Sequence, residues 1–139
     1  MTIQIRGEAF QPDLFIRRRK KRRVTWDGPE YQLQIAVVQH LRQRATPGTV
    51  YFHVPNGEHR NKRVASKLKA MGVIPGVADL IIAVPERPVG ALELKSGRNT
   101  QTKAQGAFQQ VWQAAGGRYV VARGIDETLA VLMDWGAIQ

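Results

Sequence analysis

The chain has 139 residues, of which 43% are hydrophobic, and it carries a formal net charge of +10. This length allows one domain with a buried core, and the hydrophobic content argues against a disordered chain. Because the sequence has no cysteine, disulfides, zinc–thiolate sites and thiol nucleophiles are excluded. No apolar run is long enough to cross a bilayer and the first ten residues lack a signal-peptide pattern, so we expect a soluble, intracellular protein without a membrane partner.

The positive charge is concentrated near the N-terminus, where residues 17–23 hold seven of the 21 lysines and arginines. Such an excess predicts an anionic partner, most often nucleic acid. The run is typical of a solvated tail, and a solvated tail can also bind phosphates by releasing counterions. Residues 1–26 show little helical or strand periodicity. We therefore divide the chain into a basic arm, residues 1–26, and one globular domain, residues 27–139.

The domain opens with a helix start signal, in which Asp27 is a capping residue, Pro29 an early helical proline and Glu30 the third residue after the cap. Helical spacing of apolar residues follows, and the helix is expected to end before Pro47. Two interpretations of Glu30 stay open: it completes a capping box alone, or it does so and also contributes to a functional site.

Strand-forming residues at 49–54 predict a strand, and a turn follows at 55–57. Residues 58–71 predict a basic helix with a thin apolar stripe. Residues 78–84 and 89–95 predict two strands, and their short connection favours an antiparallel hairpin.

A second strong helical pattern covers residues 100–115 and ends at Gly116-Gly117. A strand at 118–123 and a closing helix at 126–135, capped by Asp126, complete the chain. The element order predicts an α/β fold with a mixed sheet flanked by helices.

The predicted hairpin contains the candidate functional residues Asp79, Glu93 and Lys95. Side chains alternate along a strand, so Glu93 and Lys95 share one face, and antiparallel pairing places Asp79 beside them. Two neighbouring carboxylates repel unless one is protonated or a cation lies between them. Hard oxygen ligands suit Mg²⁺ or Mn²⁺. The alternative is a simple ion pair between Lys95 and either carboxylate, which contributes little to stability.

The ordered segments GVADLI (76–81), ALELKSG (91–97), TKAQ (102–105) and AAGG (114–117) resemble the VRR-NUC family. That family belongs to the PD-(D/E)XK, or restriction-endonuclease-like, nuclease superfamily. The resemblance runs from about residue 30 to about residue 121. It implies an αβββαβ core in which Ala78 stands where the family usually has proline.

The resemblance also implies a role for each matching residue. Asp79, Glu93 and the backbone carbonyl of Leu94 are implied as metal ligands, and Lys95 as the residue that orients or deprotonates the attacking water. Gln105 on the following helix would support the site. An acidic residue on the first helix and an asparagine after the first core strand are also implied near it, at Glu30 and Asn56.

By the same resemblance, the chain is expected to be a Mg²⁺-dependent, structure-selective DNA endonuclease, with branched or four-way junctions as candidate substrates. A homodimer in the cytoplasm of a bacterium or a phage-infected host is implied. A non-catalytic nucleic-acid-binding protein is the main alternative, and a small RNA-binding factor is a weaker one. A packed core histidine is the favoured interpretation of His53, over a catalytic base or a zinc ligand together with His59.

Overall fold

The computed structural model describes residues 28–55 and 61–139, together with the backbone of residues 4–5 and 8–9. Several predictions made from the sequence therefore lie outside the described residues. They are the basic run at 17–23, the domain boundary at 26/27, the cap at Asp27, and the roles considered for Asn56 and His59.

Ten helices and strands are described. In chain order they are β1 (Gln4–Ile5), β2 (Glu8–Ala9), α1 (Pro29–Arg44), β3 (Val50–His53), α2 (Lys62–Ala70), β4 (Leu80–Ala83), β5 (Gly90–Lys95), α3 (Lys103–Ala114), β6 (Arg118–Arg123) and α4 (Gly124–Asp134). The order from α1 to α4 is the predicted one. The antiparallel pair of β1 and β2 was not predicted.

One four-stranded mixed sheet in the order β3-β4-β5-β6 forms the centre of the fold. β3, β4 and β5 run antiparallel, as expected for strands joined by short connections, and β6 lies parallel to β5 after the chain crosses over through α3. Leu80 lies opposite Leu92 and Ile82 opposite Gly90, so the predicted hairpin is confirmed. The fold is the predicted α/β arrangement of a mixed sheet flanked by helices.

The two faces of the sheet bury two separate cores. Alternate residues of the strands pack against α1 and α4 in the larger core, which contains Val37, Leu41, Leu80, Ile82, Leu92, Leu94, Leu132 and Trp135. The opposite face packs under α3, where Ala78, Ile81, Ala91, Phe108 and Tyr119 form the smaller core. Burying each large aliphatic side chain stabilises the fold by roughly 1.5–3 kcal/mol. Glu93 and Lys95 alternate with leucines of the larger core, so they face the side on which α3 lies.

A glycine lies at the start of both α1 and α4. α1 has Gly28 as its N-cap with no side-chain hydrogen bond to the cap. α4 begins at Gly124, two residues before the cap predicted at Asp126, because Gly124 adopts φ 73° and turns the chain directly out of β6. Asp126 lies instead in the first turn of α4, where its negative charge interacts favourably with the positive end of the helix dipole.

α2 is the least integrated helix of the domain. Asn61 caps it through an oxygen that accepts a 2.9 Å hydrogen bond from the backbone N–H of Val64. None of its residues is buried. Val64 and Met71, predicted to form an apolar stripe, are 42% and 71% exposed. The described part of the chain contains no helix long and apolar enough to span a membrane.

Candidate active site

The β4–β5 hairpin brings Asp79 next to β5. Because Leu80 lies opposite Leu92, the next position outward on β4 is Asp79 and the next on β5 is Glu93. The backbone N–H of Leu94 donates a 2.8 Å hydrogen bond to Oδ2 of Asp79. The other carboxylate oxygen, Oδ1, accepts no hydrogen bond from the residues that the structure describes. The hydrogen bond from Leu94 thus fixes the carboxylate of Asp79 at the edge of β5.

Glu93 is almost completely buried, with 1% of its surface exposed. Its Oε1 accepts two hydrogen bonds, from Lys95 Nζ at 2.9 Å and from Gln105 Nε2 at 2.6 Å. Its Oε2 is buried and has no hydrogen-bond partner in the described part of the chain. An unpaired buried carboxylate oxygen is costly, so this atom marks a position where a ligand would stabilise the protein.

The start of α3 determines which way the amide of Gln105 points. Thr102 and Gln105 form a capping box: the N–H of Thr102 donates to Oε1 of Gln105 at 2.8 Å, and the N–H of Gln105 donates to Oγ1 of Thr102 at 3.2 Å. With Oε1 engaged, the amide donor Nε2 faces Glu93. The Thr-x-x-Gln spacing of this box is visible in TKAQ, but no capping box was predicted there.

Glu30 contacts the turn after β5. Its Oε1 accepts hydrogen bonds from the backbone N–H of Ser96 at 3.1 Å and from Nδ2 of Asn99 at 2.9 Å. Glu30 therefore does not act as a cap alone, because its carboxylate reaches residues 66 and 69 positions away in the chain. Gln105 is thus hydrogen-bonded to Glu93, whereas Glu30 is hydrogen-bonded to the turn after β5.

His53 lies at the exposed end of β3. Its Nδ1 forms a 2.8 Å hydrogen bond with the backbone carbonyl of Asp79. Since a carbonyl only accepts, Nδ1 is assigned the proton. His53 is exposed, so its interpretation as a packed core histidine is wrong, and it instead supports the backbone of Asp79.

The electrostatics of the cluster follow from burial and from like charges. Burial, followed by the negative charge of Asp79, raises the pKa of Glu93 despite the opposing effect of Lys95. Burial also raises the pKa of Asp79, against the hydrogen bond from Leu94 and the charge of Lys95. Burial alone would raise the pKa of Glu30. The hydrogen bonds from Asn99 and Ser96 outweigh this effect, so the pKa of Glu30 is lowered. It is therefore unfavourable for Asp79 and Glu93 to be ionised at the same time unless a further cation lies beside them.

Replacing Asp79 with asparagine is expected to raise the Tm of the metal-free protein at neutral pH. The raised pKa of Asp79 means that the folded protein binds this proton more tightly than the unfolded chain does. Stability is therefore lost as the pH rises from the unfolded pKa through the folded pKa. Asparagine keeps an oxygen for Leu94 and carries no charge, so the variant escapes this loss.

The gain in Tm is expected to vanish at about pH 3, where an aspartate is mostly neutral in both states. Thermal unfolding of both proteins in chelator, at neutral pH and at about pH 3, measures the effect. A lower Tm for Asp79→Asn at neutral pH would contradict it.

The donor atoms fit a hard divalent cation. Asp79 Oδ1 and Glu93 Oε2 are oxygens without a hydrogen-bond partner among the described residues, and Mg²⁺ is commonly held by one or two carboxylates together with water. Within residues 28–55 and 61–139, no group of three or more histidine, aspartate and glutamate residues is placed to hold a metal. The candidate ligand set is thus the predicted one of two carboxylates and the carbonyl of Leu94, and these roles stay predictions.

The chain was compared with protein families, curated proteins and solved structures. No model of a protein family matches the chain, and no curated protein matches it. Among solved structures, the chain is similar to a protein named "VRR_NUC domain protein", with a TM-score of 0.64 and 27% sequence identity. The similarity covers 79% of this chain and 95% of the other.

Proposed function

From the similarity to a VRR_NUC domain protein, we propose that the chain is a member of the VRR-NUC family and a metal-dependent endonuclease that hydrolyses phosphodiester bonds in DNA. One observation carries the proposal: two carboxylates and a lysine converge where β4 begins and β5 ends, and one buried oxygen of Glu93 has no hydrogen-bond partner among residues 28–55 and 61–139. A simple structural ion pair between Lys95 and Glu93 would not require Asp79 to lie beside it.

In this proposal Asp79, Glu93 and the carbonyl of Leu94 hold Mg²⁺, for which Mn²⁺ can substitute. When bound, the ion supplies charge stabilisation at the phosphate and lowers the pKa of a water molecule. Lys95 lies 2.9 Å from Glu93 and would orient the attacking water or take its proton. Gln105 keeps the carboxylate of Glu93 in one orientation.

α2 provides a surface for the DNA backbone. Its cations are all exposed, and no acidic residue occurs between positions 61 and 78. The cations of α2 are Lys62, Arg63, Lys67 and Lys69. Such a surface neutralises phosphates without reading bases, so it confers affinity rather than sequence specificity. The basic run at 17–23 would add to this affinity.

The proposal extends to the substrate that the enzyme prefers. Branched or four-way DNA is proposed as the substrate. A symmetric cut of two strands requires two active sites, which a homodimer supplies. The cytoplasm of a bacterial or phage-infected cell is the proposed location.

The proposal is tested by incubating the protein with supercoiled plasmid, flayed duplex and a four-way junction. Each substrate is tested in Mg²⁺, in Mn²⁺ and in chelator. Cleavage in either metal and none in chelator is the expected result, with the junction cut fastest. DNA binding without cleavage of any substrate would reject the nuclease and favour the non-catalytic DNA-binding protein.

A further inference from the structure

The turn that follows β5 is exposed, yet side chains from two distant elements form hydrogen bonds with it. Residues 96–99 form a tight turn closed by a 3.1 Å hydrogen bond from the N–H of Asn99 to the carbonyl of Ser96. Gly97 adopts φ 52°, a left-handed conformation that favours glycine. Residues 97–99 are exposed, and the turn contains no apolar side chain. Hydrophobic packing therefore does not hold it in place.

Two charged side chains from distant elements hold the turn instead. Glu30 of α1 binds Ser96 and Asn99 on one side. Arg123, the last residue of β6, donates from Nη1 to the carbonyl of Asn99 at 2.6 Å and to that of Gly97 at 3.2 Å. Fixing each backbone residue costs roughly 1–2 kcal/mol of conformational entropy. A turn with no core contacts that is nevertheless fixed from two directions indicates a functional need for its geometry.

Arg98 is the side chain that this geometry presents. It is exposed, and it makes no hydrogen bond or ion pair with the residues that the structure describes. It lies three positions after Lys95, across the closed turn. An arginine has a planar group of donors that matches the oxygens of a phosphate. Because the backbone beneath it is already fixed, binding an anion here would order little more than the side chain itself.

We propose that the turn 96–99 is a phosphate-binding element, in which Arg98 binds a DNA backbone phosphate beside the one that is cut. Glu30 and Arg123 are positioning residues that hold the turn. This inference rests on the proposed function for its ligand, DNA. It adds a contact site separate from the carboxylate cluster and from the cations of α2.

The contact is tested by DNA binding in chelator, where no cleavage occurs. Fluorescence anisotropy with a labelled duplex, repeated over a series of salt concentrations, gives both the affinity and its salt dependence. Arg98→Gln is expected to weaken binding by about tenfold and to reduce the slope of log K against log salt by about 0.9. The matched control is Arg42→Gln, which removes another exposed arginine, from the last turns of α1, and is expected to leave the slope unchanged. Equal slopes for wild type and Arg98→Gln would overturn the proposal.

The positioning role is tested with Arg123→Gln, alone and combined with Arg98→Gln. If Arg123 acts through the turn, the double variant binds about as weakly as Arg98→Gln alone. If the two losses add, Arg123 contacts DNA independently and is not a positioning residue. Thermal unfolding of each variant separates loss of the fold from loss of the contact. Cleavage by the wild type in Mg²⁺, run in parallel, tests the nuclease proposal separately: binding that depends on Arg98 without cleavage rejects the nuclease only.

Discussion

Replacing Glu93 with glutamine is expected to lower the rate of DNA cleavage in Mg²⁺ by at least about a thousandfold. The variant keeps the size of the side chain but removes the charge that would hold the metal. A metal contributes several kcal/mol to the stabilisation of such a transition state, and each 1.36 kcal/mol corresponds to tenfold in rate. Initial rates on the substrate that the wild type cuts fastest, measured in Mg²⁺ and in Mn²⁺, provide the test.

The matched control is Glu127→Gln, which removes an exposed carboxylate on α4 and is expected to leave cleavage unchanged. Glu93→Gln also leaves Lys95 without its ion pair, and breaking a buried pair costs about 3–5 kcal/mol. Its circular dichroism and Tm must therefore be recorded. Asp79→Asn serves as a second variant, because it is expected to abolish cleavage while increasing thermal stability. Cleavage near the wild-type rate in a folded Glu93→Gln protein would refute the site.

Replacing Gly76 with alanine is expected to damage both the fold and the site. Gly76 has φ 77°, and a Cβ atom there would overlap the backbone of Ala104 and Gln105. Overpacking costs about 1–3 kcal/mol, and the left-handed conformation adds about 1–2 kcal/mol for a residue with a Cβ atom. Relief of the overlap would move the start of α3, and with it the amide that supports Glu93.

Displacement of a supporting group by about 1 Å lowers activity by about a hundredfold. We therefore expect cleavage by Gly76→Ala to fall by at least that factor at a temperature where the variant remains folded. Gly106→Ala is the control, since a Cβ atom at this helical position meets no neighbouring atom. It is expected to raise stability by up to about 1 kcal/mol without slowing cleavage. Full activity in a folded Gly76→Ala protein would show that this close packing does not position the site.

The hairpin and the convergence of its side chains could be predicted because both depend on local rules. A short connection between two apolar strands favours antiparallel pairing, and alternation along β5 then places Glu93 and Lys95 on one face. The pairing of Leu80 with Leu92 follows from matching these short segments. The support of Glu93 by Gln105 rested on family resemblance, because periodicity alone favoured an exposed glutamine.

Other parts of the site depend on contacts between distant segments. Glu30 binds Asn99, 69 positions away, and a sequence pattern read within one helix start gives only the capping alternative. The close packing of Gly76 on Ala104 depends on how α3 crosses the sheet. The exposure of His53 follows from its place at the end of an edge strand. By contrast, the capping box at Thr102 is visible in the sequence as the Thr-x-x-Gln spacing. This box orients the amide of Gln105, whose role beside Glu93 was predicted from the family resemblance alone.

A crystal structure of the protein grown with Mn²⁺, analysed by anomalous scattering, tests the central claim most directly. The account predicts an anomalous peak between Asp79 and Glu93, about 2.0–2.3 Å from a carboxylate oxygen of each, with Oε2 of Glu93 among the ligands. An ion-free cluster in which Lys95 remains paired with Glu93, in a protein that cuts DNA in the same Mn²⁺ buffer, would contradict it.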